Sequence, residues 1–398
     1  MNLLFSLTAY PPSVGGAQLL MHHLACQLVQ RHSVQVLTQW DTSRTDWLLG
    51  TTLNAPAELR AYVQDGVPVQ RIALPAGARR RLAPWVYGYY LAEGPAIARI
   101  AAALASELRP WAAAADLIHN CRIGREGLSY ASLQAARERD IPFVFTPVHH
   151  PRWGGWLHRH FQALYRQADA VIALTEAERK LLVQLGVRDE RIFVAGMGPV
   201  LAPTSDGARF RGKHGLGAAP LVLFLGQKYA YKGLAALLAA APLVWRRFPE
   251  AHFVFIGPRT SYSRRLFGSQ TDSRLLELDT VSLQEKTDAL AACTVLCVPS
   301  AQESFGGVYT EAWSLGKPVI GCAIPAVCEV ISDGWDGVLV RREANAVADA
   351  LMQILDDETL AAQMGQRGRE KVAARFSWPR LAALTEAAYE TVLGRRAA

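Results

Sequence analysis

From its first residues the chain sets short apolar runs against helix-length segments, and after a Gly- and Pro-rich stretch it does so again. NLLFSLTAY (2–10) reads as a strand that stops at Pro11-Pro12 and Gly15-Gly16. A helical segment, AQLLMHHLACQLVQR (17–31), leads to a second strand, SVQVLTQW (33–40). Strand, glycine loop, helix, strand is the crossover unit of a parallel sheet, because only a long connection returns the chain to the same end. Further strands are expected at DLIHN (116–120), PFVFTPV (142–148), DAVIALT (169–175) and RIFVAG (191–196). MGPVLAPTSDGARFRGKHGLGAAP (197–220) is weakly periodic and reads as a linker. The alternation then resumes with LVLFLG (221–226), a helix near 233–247, HFVFIG (252–257) and a helix near 283–292. TVLCVPS (294–300), a helix over 308–315 and PVIGC (318–322) follow.

A chain of 398 residues exceeds what one ordinary core organises. The pattern implies an α/β protein of two Rossmann-like, doubly wound parallel-sheet domains facing across a cleft, with ligands beyond the carboxyl ends of the strands. The expected division is 1–198, 199–375 and a closing helical segment, 376–398, packed at the junction. With 51% hydrophobic and 19% charged residues, the chain is globular and not disordered. No apolar run reaches the roughly 18–20 residues of a membrane helix, and MNLLFSLTAYPPSVGGAQ lacks the basic start of a secretory signal. These features predict a cytoplasmic protein. Six irregularly spaced cysteines fit a reduced core, and the Cys293/Cys297 pair has no other clustered ligands. A net charge of +7 without zinc-finger spacing, basic repeats or an aromatic-basic ribonucleoprotein motif argues for phosphate-bearing small molecules or a membrane surface, and against nucleic acid.

The stretch QESFGGVYTEAWSLGKPVI (302–320) carries two glutamates, Glu303 and Glu311, around a Gly306-Gly307 turn at the start of a helix. Two glycines let the backbone approach a ligand closely, and a helix N-terminus directs N–H groups and a positive dipole at it, which makes a diphosphate cradle. The reading over 308–315 puts Glu311 in the first turn. GQKYAYKG (226–233) follows a strand, with Gly226 at the tight exit and Lys232 before the next helix. YPPSVGGAQ opens the first helix, and TPVHHPRWGGW (146–156) ends a strand with two histidines. GARRRLAPWVYGYY (77–90) mixes Arg79, Arg80 and Arg81 with Trp85, Tyr87, Tyr89 and Tyr90. Such a mixture suits a membrane interface or a lipid phosphate, and equally an ordinary solvated loop with aromatics in the core.

In this order, these segments resemble the family 4 glycosyltransferases, retaining sugar-nucleotide enzymes of GT-B fold. QESFGGVYTEAWSLGKPVIG resembles the family's E-x7-E segment, YPPSVGGAQ its N-terminal glycine loop and LFLGQKYAYKG its G-R-x4-K-G segment. ADAVIALTEAERKLLVQLGV, VSLQEKTDALAACTVLCVPSAQESFG, DGWDGVLV and RFSWPRL resemble further family stretches, so that the likeness covers nearly the whole chain. The resemblance implies that Glu311 meets the nucleotide ribose, Glu303 the donor sugar and Lys232 the diphosphate. Gly16 meets the β-phosphate or the acceptor, and His150, with His149 as the alternative, lies beside the reacting sugar. Gly226, Ser304, Phe305, Gly306, Gly307 and Val308 line the donor turn. The sequence departs from the family pattern at Gln227, in the usual Arg slot, where Gln227 and the adjacent Lys228 are expected as donor contacts with Lys228 in line to supply the missing charge, and at Val148, in the place of the first histidine. The catalytic set is then His150, Glu303 and Lys232, with Arg79, Arg80 and Arg81 as acceptor contacts.

What the resemblance implies is metal-independent, retaining transfer of a sugar from a nucleotide sugar to a carbohydrate, lipid-linked or small-molecule acceptor. It would serve polysaccharide, lipopolysaccharide or glycolipid synthesis, with peripheral association at the inner membrane face and no cofactor. A glycoside hydrolase, a nucleotide-sugar epimerase and a catalytically weak carbohydrate-binding scaffold are the competing readings.

Overall fold

The computed structural model describes residues 1–13, 15–41, 48–122, 127–149 and 155–397, with nothing said of the side chains of 48, 49, 157, 396 and 397. The chain divides into two compact units, Met1–Gly196 with Trp378–Ala398, and Met197–Ser377.

The first unit carries β1 (Asn2–Ala9), β2 (Ser33–Trp40), β3 (Arg60–Gln64), β4 (Val67–Arg71), β5 (Leu117–Cys121), β6 (Phe143–Thr146), β7 (Ala170–Ala173) and β8 (Ile192–Val194). They form one sheet in the order β3-β4-β2-β1-β5-β6-β7-β8. Every neighbouring pair is parallel except the β3–β4 hairpin at the edge. Its two-residue turn is Asp65-Gly66, with φ of 50° and 80°, the left-handed pair that matches strand twist in a tight hairpin. The strand order reverses between β1 and β5, so the loops after these two strands diverge and leave room for a ligand.

The second unit carries β9 (Leu221–Leu225), β10 (His252–Ile256), β11 (Leu275–Leu278), β12 (Val295–Val298), β13 (Val319–Cys322) and β14 (Gly337–Val340). All pairs are parallel, in the order β11-β10-β9-β12-β13-β14, which is the dinucleotide-fold order. Strands β9, β12 and β13 are buried at every position, as expected for parallel strands covered by helices on both faces. Cys293 and Cys297 are buried free thiols of this core.

Two expectations change. The stretch read as a linker contains a helix, Gly207–His214, that belongs to the second unit. Asp206 caps it, and Arg209 donates two bonds, of 2.6 and 2.8 Å, to Asp288 on the Leu283–Ala292 helix. Only Phe210 of this helix is buried, so the sequence carries no apolar period to announce it. Residues 77–87 of the basic-aromatic segment, for which a solvated loop is one reading, lie in the helix Ala76–Tyr87, and Gly88–Tyr90 form a turn.

The closing helix, Trp378–Ala397, is part of the first unit. Tyr389 meets His119 Nδ1 at 2.6 Å, while Nε2 of the same ring meets the Thr146 hydroxyl at 2.7 Å. At the outer end, Glu386 receives bonds from His32 (2.5 Å) and Arg31 (2.8 Å). Burial lowers the His119 pKa to about 3. The unfolded chain, with His near 6.5, therefore binds the proton first as pH falls, so stability is lost on acidification between about 6.5 and 3. Urea melts of the wild type should lose up to about 1.4 kcal/mol per pH unit from this group in that window. His119→Asn should be less stable at pH 7 yet show a shallower acid slope, and an unchanged slope would refute this role.

Candidate active site

In the second unit the strand order reverses between β9 and β12, and the loops leaving these strands carry the candidate donor residues. The chain leaves β9 through Gly226, turns through Ala230–Lys232 and enters the Leu234–Trp245 helix at Gly233. Gly233 has φ +82°, and a Cβ there would lie 2.1 Å from the Pro299 carbonyl oxygen, so only glycine fits. Next to it, the Ala301 N–H donates to the Tyr231 carbonyl at 2.8 Å. The two loops are thus fixed backbone to backbone, and Lys232 Nζ reaches Glu303 Oε1 at 2.5 Å. Both side chains are largely buried, at 16% and 11% exposure. A short charge-assisted bond in that setting holds two sequence-predicted catalytic groups as one unit.

Eight residues beyond Pro299, the helix Gly307–Ser314 begins. Gly306, with φ +90°, is its N-cap, and the helix has neither a side-chain cap nor an acid in its first turn. Its opening N–H groups and dipole are not neutralised by a local carboxylate, the condition under which a helix start holds an anion. Gly307 lies against Met197, whose Sδ would be 2.9 Å from a Cβ placed there. Ser304 and Val308 are half-buried at this turn.

Glu311 is in the second turn and not the first, because the helix starts one residue earlier than the sequence suggested. It is buried at 6% exposure. Lys286 Nζ donates to its Oε1 at 2.7 Å, while Oε2 has no hydrogen-bond partner among the described residues. Burial raises its pKa, opposed by the charge and hydrogen bond of Lys286 and by the Val200 N–H.

One donor-site expectation, that of Lys228, is corrected, and two further residues gain a structural context. Lys228 is fully buried, and its ammonium bonds Glu277 and the Leu278 carbonyl, each at 2.6 Å, so it ties the end of β11 and supplies no charge for the empty Arg slot. Burial lowers its pKa, and Glu277 opposes that shift. The Phe305 side chain is a core group packed edge-on against Phe376 at 5.2 Å. Gly16 has open space where a Cβ would stand, and neither it nor Gly15 has positive φ, so the backbone does not demand glycine at Gly16. Gln227 is half-buried, and its backbone carbonyl accepts from the Tyr229 N–H at 2.8 Å.

In the first unit, Val148 follows β6 with φ +44°, an unusual state for a β-branched residue and a sign of local constraint. The next residue, His149, is buried; its N–H donates to Glu178 at 2.6 Å, and its Nδ1 is 3.1 Å from the Tyr165 hydroxyl. Burial, then the charge of Arg122, lowers its pKa to about 4. His150 lies outside the described residues. Glu178 also accepts from the Leu174 N–H at 2.7 Å, and burial pushes its pKa up to about 7. Arg122, just past β5, is buried, stacks over Phe161 and donates to Tyr165 at 2.6 Å. Sequence reasoning missed Arg122, Glu178, Lys286 and Gln18. For Arg122 the available signal was a charge at a strand's carboxyl end; for Glu178 it was the Thr175 cap that precedes it. Gln18 is buried, with its amide unpartnered among the described residues. Of the three arginines, Arg79 reaches the Leu53 and Ala55 carbonyls, at 3.5 and 3.2 Å, and so braces its helix, while Arg80 and Arg81 are exposed.

Residues 15–198 match the model of the Glycosyl transferase 4-like domain, and residues 219–357 match that of Glycosyl transferases group 1. Phosphatidyl-myo-inositol mannosyltransferase of Mycolicibacterium smegmatis is 35% identical over 176 residues, 44% of this chain and 45% of that protein. The match thus spans less than half the length of this curated relative. Anabaena HepE, solved with UDP and glucose, superposes with a TM-score of 0.71 at 20% identity, over 98% of this chain and 99% of that one. Sucrose-phosphate synthase of Thermosynechococcus elongatus superposes with a TM-score of 0.76 at 19% identity, over 99% of each chain. These likenesses show the GT-B fold.

Gly233→Ala should destabilise the second unit by at least about 1–3 kcal/mol, since it adds left-handed strain to a clash with backbone. Urea unfolding of the variant checks this, and wild-type stability would mean that the two loops are not held as described.

Proposed function

The chain belongs to the family 4 glycosyltransferases, and from that premise we propose that it transfers a sugar from a nucleotide-diphosphate donor to an acceptor hydroxyl. The observation that carries this reading is the Lys232–Glu303 pair beside an uncapped helix start, with one oxygen of the buried Glu311 unpartnered. Each part suits a different part of a sugar nucleotide. The helix start and Lys232 take the diphosphate. Glu311 accepts from ribose hydroxyls, since an ionised carboxylate has only acceptor sites. Glu303, once its lysine turns to the diphosphate, is left to meet the sugar.

Transfer breaks the bond between the anomeric carbon and the β-phosphate oxygen. The negative charge that develops there falls on Lys232 and the helix N–H groups, and preorganised donors of this kind supply much of the rate. The acceptor oxygen attacks the same face, giving retention, and its proton passes to the departing phosphate. The proposed chemistry needs no metal, because the cation and the helix start meet the diphosphate charge. For the acceptor we propose a lipid-linked or polysaccharide hydroxyl at the inner membrane face. Support comes from the name of the mycobacterial relative and from the exposed Arg80, Arg81, Tyr87 and Tyr90 on and just past one helix. No described helix is long and apolar enough to cross a membrane.

The test is thermal shift with UDP, GDP, ADP and TDP on the wild type and Glu311→Ala. One diphosphate should raise Tm selectively, since ligand at 100-fold its Kd adds about 2.7 kcal/mol, and the variant should lose the rise. No shift with any of the four would sink the donor reading. With the matching nucleotide sugar and an acceptor, Lys232→Ala should lower kcat by about 100- to 1000-fold, and chelator should leave the wild-type rate unchanged. Release of nucleotide at an equal rate without acceptor would point to an epimerase or hydrolase.

A further inference from the structure

We propose that Lys286 is a positioning residue for the donor ribose: it holds Glu311 by one carboxylate oxygen and the chain entering the second unit by a carbonyl, so that the other oxygen is presented to the ribose hydroxyls. This rests on the reading of Glu311 as the ribose contact, and it concerns a residue that touches no substrate itself.

The argument begins with burial. A carboxylate at 6% exposure, bonded by Lys286 at one oxygen and stabilised also by the Val200 N–H, remains costly while its other oxygen lacks a hydrogen bond. Lys286 completes half of its shell: Nζ lies 2.7 Å from Glu311 Oε1 and 2.7 Å from the Val200 carbonyl oxygen. The other half, Oε2, is unpartnered among the described residues, although it is buried with the rest of the side chain. Two ribose hydroxyls are donors of the kind that would complete the shell of this oxygen.

The lysine is itself held in place. Its helix, Leu283–Ala292, is capped by Ser282. One turn on, Thr287 accepts from the Ala202 N–H at 2.9 Å, and Asp288 accepts from the Asp206 N–H at 2.8 Å. The segment 200–206 is therefore laced along this helix, and Lys286 joins that lacing to the donor helix. Its side chain keeps 20% exposure, so the ammonium is partly shielded from solvent and its charge acts on Glu311 with little screening. Without it, burial would push the Glu311 pKa further up and work against the ionised form that accepts from ribose hydroxyls.

A purely structural role would weaken folding without changing how the site reads the ribose, and this separates the two accounts. Calorimetric titration of UDP, GDP and ADP is compared with that of their 2′,3′-dideoxy counterparts. In the wild type, the ribonucleotide of the accepted base should bind about 10- to 100-fold tighter than its dideoxy form, the span of hydrogen bonds to a charged group. In Lys286→Met the preference should shrink to within about 3-fold, with dideoxy affinity nearly unchanged; Lys286→Arg should keep most of it. A full preference in Lys286→Met, lost in Glu311→Ala, would overturn this inference and leave the ribose reading intact. A full preference in Glu311→Ala, or no binding by the wild type, would overturn both. Should Lys286→Met not fold, the wild-type nucleotide complex decides. Ribose on Glu311 Oε2 with Lys286 still on Oε1 sustains the inference, and a lysine released from Glu311 overturns it.

Discussion

The second unit depends on one close approach, that of Gly233 to the Pro299 carbonyl. The strand order reverses between β9 and β12, and loops leaving such neighbours ordinarily splay apart. Here they touch, because a residue without Cβ in the left-handed region lets one backbone lie on the other. The rest follows from that contact. The Ala301 N–H finds the Tyr231 carbonyl, Lys232 and Glu303 come within 2.5 Å, and the chain beyond Glu303 is set to turn at Gly306 into a helix whose start carries no capping side chain. A glycine conserves nothing chemically, yet it decides where the chemistry stands.

The charges around this frame fall into two kinds. Lys228 and Glu277 pair inside the fold, with Arg259 on the other Glu277 oxygen, and Arg209 and Asp288 pair on its flank; these contacts fix strand and helix ends. Lys232–Glu303 and Lys286–Glu311 also pair a lysine with a glutamate, but each sits beside a group short of partners, an uncapped helix start in one case and a bare carboxylate oxygen in the other. Buried ion pairs contribute little net stability when desolvation is counted. Their retention beside unsatisfied groups is better explained by what they prepare than by what they hold together.

The legible part of this architecture was whatever the sequence states locally. Alternating apolar runs marked the parallel strands, and Gly306-Gly307 between two glutamates marked a helix start without a capping side chain, because both signals lie within about ten residues. The residues misread or missed depend on partners far along the chain. Lys228 resembled a donor-site lysine until Glu277, 49 positions away, was seen to take its charge. Lys286 carries no local signal, because the partner that gives it a role, Glu311, lies 25 positions away. The Gly207–His214 helix escaped notice since a bidentate arginine, and not an apolar stripe, anchors it.

The same distinction bears on Gln227, where family likeness and this chain part company. An arginine there would bring a second cation to the diphosphate, and the adjacent Lys228 is already committed to Glu277. On the proposed reading, the cation for the diphosphate is Lys232, which pairs with Glu303. A site with one cation, already paired, gains little by attracting any passing anion, because the pair must open first. It gains more from a ligand that brings a diphosphate for the lysine and a hydroxylated sugar for the glutamate at once. On the proposed reading, the missing arginine would favour an intact sugar nucleotide over free phosphate, because one paired cation attracts a simple anion less than two would.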